Sequence, residues 1–308
     1  MRLSQLYRAL TGQPWPSFYD LPLGHARLDS RQVQPGDVFF AMPGQHHDGH
    51  TFVADALARG AYLALIHHEV PGCRTLDLRT PPSASDVAAW HAPGCFRVDR
   101  TLHALHRWAR AWREQHPRLR VIGVTGSVGK TSTKDLLAHT LATRFFTLKS
   151  PGNYNSELGL PLSLLGLRGY HERAVLEMGF YVPGDIRLLS DLARPAVGVV
   201  TNVSLVHSER AGDQAAIARG KAELVQALPA GGLAVLNVDD PWVRAMAELT
   251  RAEVVFYGLR PEAHVRALQV QSLGLDGLRF FVRGLGHEGW VQLPWPGRHW
   301  VYAALAAL

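Results

Sequence analysis

The sequence is poor in cysteine: Cys73 and Cys95 are the whole complement. Two thiols make neither a disulfide framework nor a zinc site. No apolar stretch reaches the roughly 18 residues that would suggest a membrane span. The opening MRLSQLYRALTGQPW is polar and broken, unlike a secretory signal, so a cytoplasmic location is expected. Internal repeats and low-complexity tracts are lacking. The formal charge is +6 and the pI about 9.6, yet no dense Lys/Arg run with interleaved aromatics occurs, and nucleic acid is not an expected partner. An Asn-Lys-x-Asp guanine signal is missing, which argues against a regulatory GTPase. No Ser/His/Asp nucleophile set stands out. Lysine is scarce: Lys130, Lys134, Lys149 and Lys221 are the only four, and arginine supplies the other positive charges.

What is present describes a globular α/β chain. It has 308 residues, 47% of them hydrophobic and 19% charged, enough to bury a substantial core. The basic balance suits anionic ligands such as nucleotides. Near the N-terminus, the Pro35-Gly36 turn precedes the apolar run Val38–Ala41, helical spacing follows from Phe52 to Ala61, and Leu63–Ile66 reads as another strand. A Pro- and Ser-rich stretch from Thr80 marks a boundary region. A helix is predicted from Thr101 to Gln115, with Leu102, Leu105, Trp108, Ala109 and Trp112 on one face. Buried strands are then expected at Val121–Val124, Ala174–Leu176, Val197–Thr201 and Leu233–Leu236, separated by helices. That alternation implies a mostly parallel sheet. Residues 266–293 alternate more like antiparallel strands. The expected organisation is a small N-terminal α/β domain over 1–98 and a central P-loop domain over 99–308.

Gly123-Val-Thr-Gly-Ser-Val-Gly-Lys-Thr-Ser132 carries the strongest single signal. It follows a strand and opens a helix, where glycines let backbone N–H groups approach phosphate oxygens and the helix N-terminus favours negative charge. Gly126, Ser127, Gly129, Lys130, Thr131 and Ser132 are the expected nucleotide-binding residues. Lys130 would contact the β/γ-phosphates and the Thr131 hydroxyl would bind Mg²⁺. Glu177 closes the run Ala-Val-Leu-Glu, at the strand end where α/β sheets place ligands. A carboxylate there suits Mg²⁺.

The variant loop resembles that of the Mur ligase family, and the resemblance extends over nearly the whole chain. Lys149-Ser-Pro-Gly-Asn-Tyr-Asn-Ser-Glu-Leu-Gly-Leu-Pro-Leu-Ser163 and Leu176-Glu-Met-Gly-Phe-Tyr-Val-Pro-Gly-Asp-Ile186 look like the family's D-Ala-D-Ala-adding member. Asp29-Ser-Arg31, Pro35-Gly-Asp37 and Asp48-Gly-His50 resemble its UDP-binding domain. The resemblance implies that Ser30, Arg31, Asp48, Gly49 and His50 bind the UDP end of a muramoyl precursor. It puts Asn155 and Ser156 near the precursor's peptide or phosphate end, and His299 at the nucleotide. It also implies that Thr131, Glu177, His207 and Lys221 surround Mg²⁺. With Lys130, the last three form the catalytic set.

In that set Lys221 is expected to be carbamylated by CO₂, as the matching lysine of the family's A-R-x-K-x-E stretch is. Its residue type agrees: an arginine would serve as a solvated helical charge, but it stays protonated and cannot become a nucleophile. The implied activity is ATP-dependent joining of D-Ala-D-Ala to UDP-N-acetylmuramoyl-tripeptide through an acyl phosphate, in peptidoglycan precursor synthesis. Two other readings stand beside it. One is an inactive or truncated Mur-like module that binds UDP-muramoyl peptide. The other is a different Mur or folylpolyglutamate-type ligase. Two departures are visible. The family's third domain is expected to be missing beyond Leu308. Trp300 and Ala303 stand where the family carries asparagines, and Trp300 replaces one that approaches the adenine. Asn237 and Asp239-Asp240 suit either the nucleotide or a helix cap before Pro241.

Overall fold

The structure, a computed structural model, describes residues 1–15, 19–44, 47–205 and 213–308. The chain forms two compact units. The first is Met1–Gln115 with Leu164–Gly166, and the second is His116–Ser163 with Leu167–Leu308.

In the first unit five short strands pair in parallel: β1 (Ala26–Arg27), β2 (Val38–Phe40), β3 (Leu63–Ile66), β4 (Thr75–Asp77) and β5 (Gly94–Arg97), in the order β1-β2-β3-β5-β4. Every residue of β2 and β3 is buried, as expected for parallel strands covered on both faces. The helices are α1 (Leu3–Thr11), α2 (Val53–Ala58), α3 (Ala84–Ala89) and α4 (Thr101–Glu114). The division between units falls after Gln115 rather than at residue 98, because α4 packs on the first unit. Trp108 stacks on Phe40 at 5.9 Å, and the residue after α4, Gln115, accepts a 2.9 Å hydrogen bond from Gln5 of α1.

The two cysteines, expected to form no disulfide framework, are joined to each other. Cys95 is fully buried in β5 and Cys73 precedes β4, so sheet pairing rather than sequence spacing brings them together. Asp37 is a second tie. Its buried carboxylate accepts from the His25 amide at 2.7 Å, the Arg27 guanidinium at 2.7 Å and the Gln34 amide at 3.1 Å, which locks the Pro35-Gly36 turn to β1.

Among the described residues the second unit is built on nine strands: β6 (Arg120–Thr125), β7 (Thr147–Lys149), β8 (Arg173–Glu177), β9 (Val197–Val200), β10 (Leu233–Asn237), β11 (Glu253–Gly258), β12 (Val265–Ser272), β13 (Leu278–Gly284) and β14 (His287–Leu293). Their order is β14-β13-β12-β11-β10-β9-β6-β8-β7. All neighbours are parallel from β7 to β12, and β13 and β14 close the sheet antiparallel. The predicted antiparallel tail is therefore present, attached to the parallel sheet through β12. The helices are α5 (Lys130–Ala142), α6 (Gly159–Leu165, its last two residues grouped with the first unit), α7 (Asp185–Ala193), α8 (Gln214–Gln226), α9 (Pro241–Ala245) and α10 (His299–Leu305).

One packing detail sets the position of α8. Gly123 of β6 and Gly198 of β9 lie side by side in register. A Cβ at either would press on the Leu224 side chain of α8. The paired glycines form a shallow trough in the sheet, and Leu224 fills it completely buried. Lys221 is one turn earlier on the same helical face.

Candidate active site

The P-loop runs from the end of β6 into α5. Gly126 and Gly129 both have positive φ, 148° and 84°, conformations open to glycine and strained for other residues. The segment after β9 braces the loop. The Ser127 amide donates to the Asn202 carbonyl at 2.9 Å, and the Val128 amide donates to the Asn202 side chain at 2.9 Å. The Thr201 hydroxyl donates to the Val128 carbonyl at 2.7 Å. Lys130 turns back on its own loop, donating to the Gly126 and Ser127 carbonyls at 2.9 and 3.2 Å. Burial lowers its pKa, and the Glu177 carboxylate partly offsets that.

Glu177, the last residue of β8, is 2% exposed. Its Oε2 accepts from the Thr131 hydroxyl and its Oε1 from the Asn155 side-chain amide, both at 2.8 Å. Its backbone N–H donates to Ser150 Oγ at 3.1 Å. Three segments far apart in sequence thus converge on one buried carboxylate at the carboxyl ends of neighbouring parallel strands. A hydroxyl and a carboxylate beside a phosphate loop are the hard oxygen donors Mg²⁺ takes, so these residues fit that ion.

Lys221 is 3% exposed. Its Nζ lies 5.5 Å from the centroid of the Phe180 ring. Gly220 permits this approach, since a Cβ there would collide with that ring. Burial, aided by the nearby positive charge of Lys130, brings the Lys221 pKa down to about 7. An amine with that pKa is substantially neutral at physiological pH and therefore nucleophilic. His207, expected in the same set, lies outside the described residues.

The structure thus brings together Lys130, Thr131, Asn155 and Glu177, with Lys221 close enough for the charge of Lys130 to act on it. Ser156 does something else: its hydroxyl and carbonyl accept from the Gly159 and Leu160 amides at the start of α6. Ser132 and Trp300 wall a cavity of about 490 Å³ along α5, with Asp135, His139, Lys149 and Trp295 also lining it. Trp300 stacks on Trp295 at 4.6 Å, and His299 opens α10 beside it. Asp240 proves to be the cap of α9, accepting from the Trp242 and Val243 amides. Asn237 instead donates to the Thr201 carbonyl at 2.8 Å. Sequence reasoning missed Ser150, Thr201 and Asn202, which act through contacts between distant segments and carry no local signature.

The first unit's candidate residues follow the carboxyl ends of β1 and β2. Ser30 and Arg31 open a 3₁₀ turn capped by Asp29. Asp48 caps the turn Gly49–Phe52, and a Cβ on Gly49 would collide with the Met42 backbone. His50 is buried and bonded at both ring nitrogens, to Asp48 at 2.6 Å and to the His67 amide at 3.0 Å. The His68 ring meets the other Asp48 oxygen at 2.9 Å and stacks on His50 at 3.7 Å. Burial works against ionisation of Asp48, but the bonds from the His50 amide and the two rings outweigh it and hold its pKa well below the ordinary carboxylate value. Burial lowers the His50 pKa, whereas the bond to Asp48 raises that of His68. The nitrogens of His50 are spent within this network, which reads as a brace for the Asp48 turn rather than an open set of metal ligands.

Residues 124–308 match the Mur ligase middle domain, and residues 25–113 match the catalytic domain of the Mur ligase family. The chain is 38% identical over 288 residues to the UDP-N-acetylmuramoyl-tripeptide–D-alanyl-D-alanine ligase of Mycobacterium tuberculosis, covering 92% of this chain and 56% of that protein. Among solved structures it resembles MurF from Acinetobacter baumannii, with a TM-score of 0.82 and 28% identity over 99% of this chain and 63% of that one. It also resembles MurF ligase from Thermotoga maritima in complex with ADP, with a TM-score of 0.77 and 30% identity over 92% and 61%. It spans somewhat more than half the length of these relatives. Two matched domains, the second of which holds the phosphate loop and the Glu177 cluster, place this chain in the Mur ligase family.

Proposed function

We propose that this chain supplies the precursor-binding and nucleotide-binding domains of an ATP-dependent, ADP-forming ligase that joins D-Ala-D-Ala to UDP-N-acetylmuramoyl-tripeptide in the cytoplasm. The observation that carries the reading is the buried Glu177, held by Thr131 of the phosphate-loop helix and by Asn155 of the segment that resembles the D-Ala-D-Ala-adding enzyme. A relative of the same fold is named as an ADP complex, which supports a nucleotide at the loop.

In this reading Gly126 and Gly129 present main-chain N–H groups to phosphate, and Ser127 shapes the loop between them, its amide held by the Asn202 carbonyl. Lys130 exchanges its loop carbonyls for phosphate oxygens, and Ser132 and His299 flank the nucleotide. Thr131, Glu177, His207 and Lys221 would hold Mg²⁺, which would supply charge neutralisation for the transferring phosphoryl group. Ser30, Arg31, Asp48 and Gly49 bind the UDP end of the precursor, His50 serves that site by bracing the Asp48 turn from beneath, and Asn155 and Ser156 lie toward the peptide. The peptide carboxylate attacks the γ-phosphorus and ADP leaves. The D-Ala-D-Ala amine then attacks the acyl carbon, phosphate leaves, and the amine gives up a proton. The protein positions the reactants and neutralises charge, and forms no covalent intermediate itself.

Lys221 enters as a carbamate. Its neutral amine adds to CO₂: an N–C bond forms, one C=O π bond opens onto oxygen and one proton leaves, so a neutral amine becomes an anion that would face the Mg²⁺ site. The buried position and the lowered pKa support this.

The deciding experiment measures phosphate release from ATP with UDP-N-acetylmuramoyl-tripeptide and D-Ala-D-Ala. It compares this chain with one continued to the length of its relatives. Release that depends on both substrates supports the reading. Precursor binding without release from either chain would favour a Mur-like binding module instead.

A further inference from the structure

The four lysines divide unevenly. Lys130 belongs to the phosphate loop and Lys221 to the carbamate proposal. Lys149 is half-exposed and pairs with Asp135 at 2.8 Å. Lys134 has no assigned role, yet it is 1% exposed. A buried ammonium is costly unless its protons are satisfied. Here its partners are main-chain carbonyls, those of Ser150 at 3.0 Å and Gly152 at 3.2 Å. The carboxylate of Asp135 stands farther off, at 3.6 Å, and is already engaged by Lys149.

Resting on the proposed nucleotide chemistry, we infer that Lys134 is a positioning residue for Glu177, acting through the turn at 150–155. That turn holds Glu177 on two sides. Ser150 Oγ accepts from the Glu177 amide at 3.1 Å, and Asn155 donates to Glu177 Oε1 at 2.8 Å. The Asn155 carbonyl also accepts from Gly179, two residues on, at 2.8 Å. Thr131 and Lys134 are both on α5. One helix therefore fixes both carboxylate oxygens: Oε2 directly through Thr131, and Oε1 through Lys134, the turn and Asn155. A compact ammonium with three rotatable donors suits two carbonyls that diverge, whereas a planar guanidinium is built for a flat, bidentate partner.

The test uses Lys134→Met, which keeps most of the stem and removes the donors. Hydrogen exchange at the Glu177 and Gly179 amides is expected to quicken about tenfold or more, while the amides of β9 and β10 keep their rates. ATP binding without Mg²⁺, in chelator, is expected to stay within about twofold, since the loop is intact. The strengthening that Mg²⁺ brings should fall about tenfold. Asn155→Ala should reproduce that loss, and the double variant should be no worse than either single one, as for residues acting in series. If Lys134→Met does not fold, Lys134→Gln, with two amide donors on a shorter stem, replaces it. Unchanged exchange at Glu177 and Gly179, uniform acceleration across the sheet, or additive losses in the double variant would each overturn the inference. If the unaltered chain shows no Mg²⁺-strengthened ATP binding, the proposed function fails, and the exchange rates alone decide the role of Lys134.

Discussion

Glu177 and Lys221 are buried charges of opposite sign with different support. The carboxylate is satisfied on both oxygens, so removing one donor leaves a buried acceptor short. Thr131→Val is expected to cost about 1–3 kcal/mol of stability, read from urea unfolding, and to weaken Mg²⁺-dependent ATP binding in the same protein. Among the described residues Lys221 faces the Phe180 ring, and its pKa falls from 10.5 to about 7. The folded state thus sheds its proton earlier than the unfolded state does. Between these two values the unfolded chain binds more protons, and stability rises with pH by up to about 1.4 kcal/mol per unit. Below pH 7 both states are protonated, and the full cost of the buried ammonium remains. Unfolding measured in CO₂-free buffer from pH 6 to 10 should show this rise, and Lys221→Met should abolish it. A flat profile for both proteins would mean the amine is not desolvated in solution.

At the scale of the element, α8 depends on residues without side chains. Gly220→Ala would drive a methyl into the Phe180 ring. The expected cost is about 1–3 kcal/mol, together with a Lys221 pKa moved back toward its ordinary value, measurable by amine-directed labelling across pH. The elements themselves were largely legible. Val121–Val124, Leu63–Ile66 and Leu233–Leu236 are apolar runs of strand length, and they are strands. The phosphate loop announced itself by glycine spacing, and Glu177 by standing at a strand's end. Lys134, Ser150 and Asn202 did not announce themselves. Each is a single polar residue whose partner lies on another segment, and periodicity records only which face is apolar. The division after Gln115, placed at 98/99 from the sequence, was not legible for a similar reason. The amphipathic pattern of α4 shows that it packs on something, but not on which unit.

Over the whole molecule the two units are separately cored, and the Cys73–Cys95 bridge lies entirely in the first. It closes a loop with a sequence separation of 22, for which chain entropy gives about 3 kcal/mol. Cys73→Ser with Cys95→Ala, or a strong reductant, should lower the calorimetric transition of the first unit and leave that of the second within about 1 °C. Equal shifts in both transitions would show that they unfold as one. The second unit has a different dependence. Its cluster draws Thr131, Asn155 and Lys221 from separate crossovers of a parallel sheet and Glu177 from a strand end, and the sheet's pairings are non-local and late to form. A nascent or partly folded chain can complete the phosphate loop once β9 has paired and Thr201 and Asn202 brace it, before α8, later in the chain, settles into its trough. Until then the loop has no finished carboxylate–amine surroundings, and such a chain should hold nucleotide without spending it.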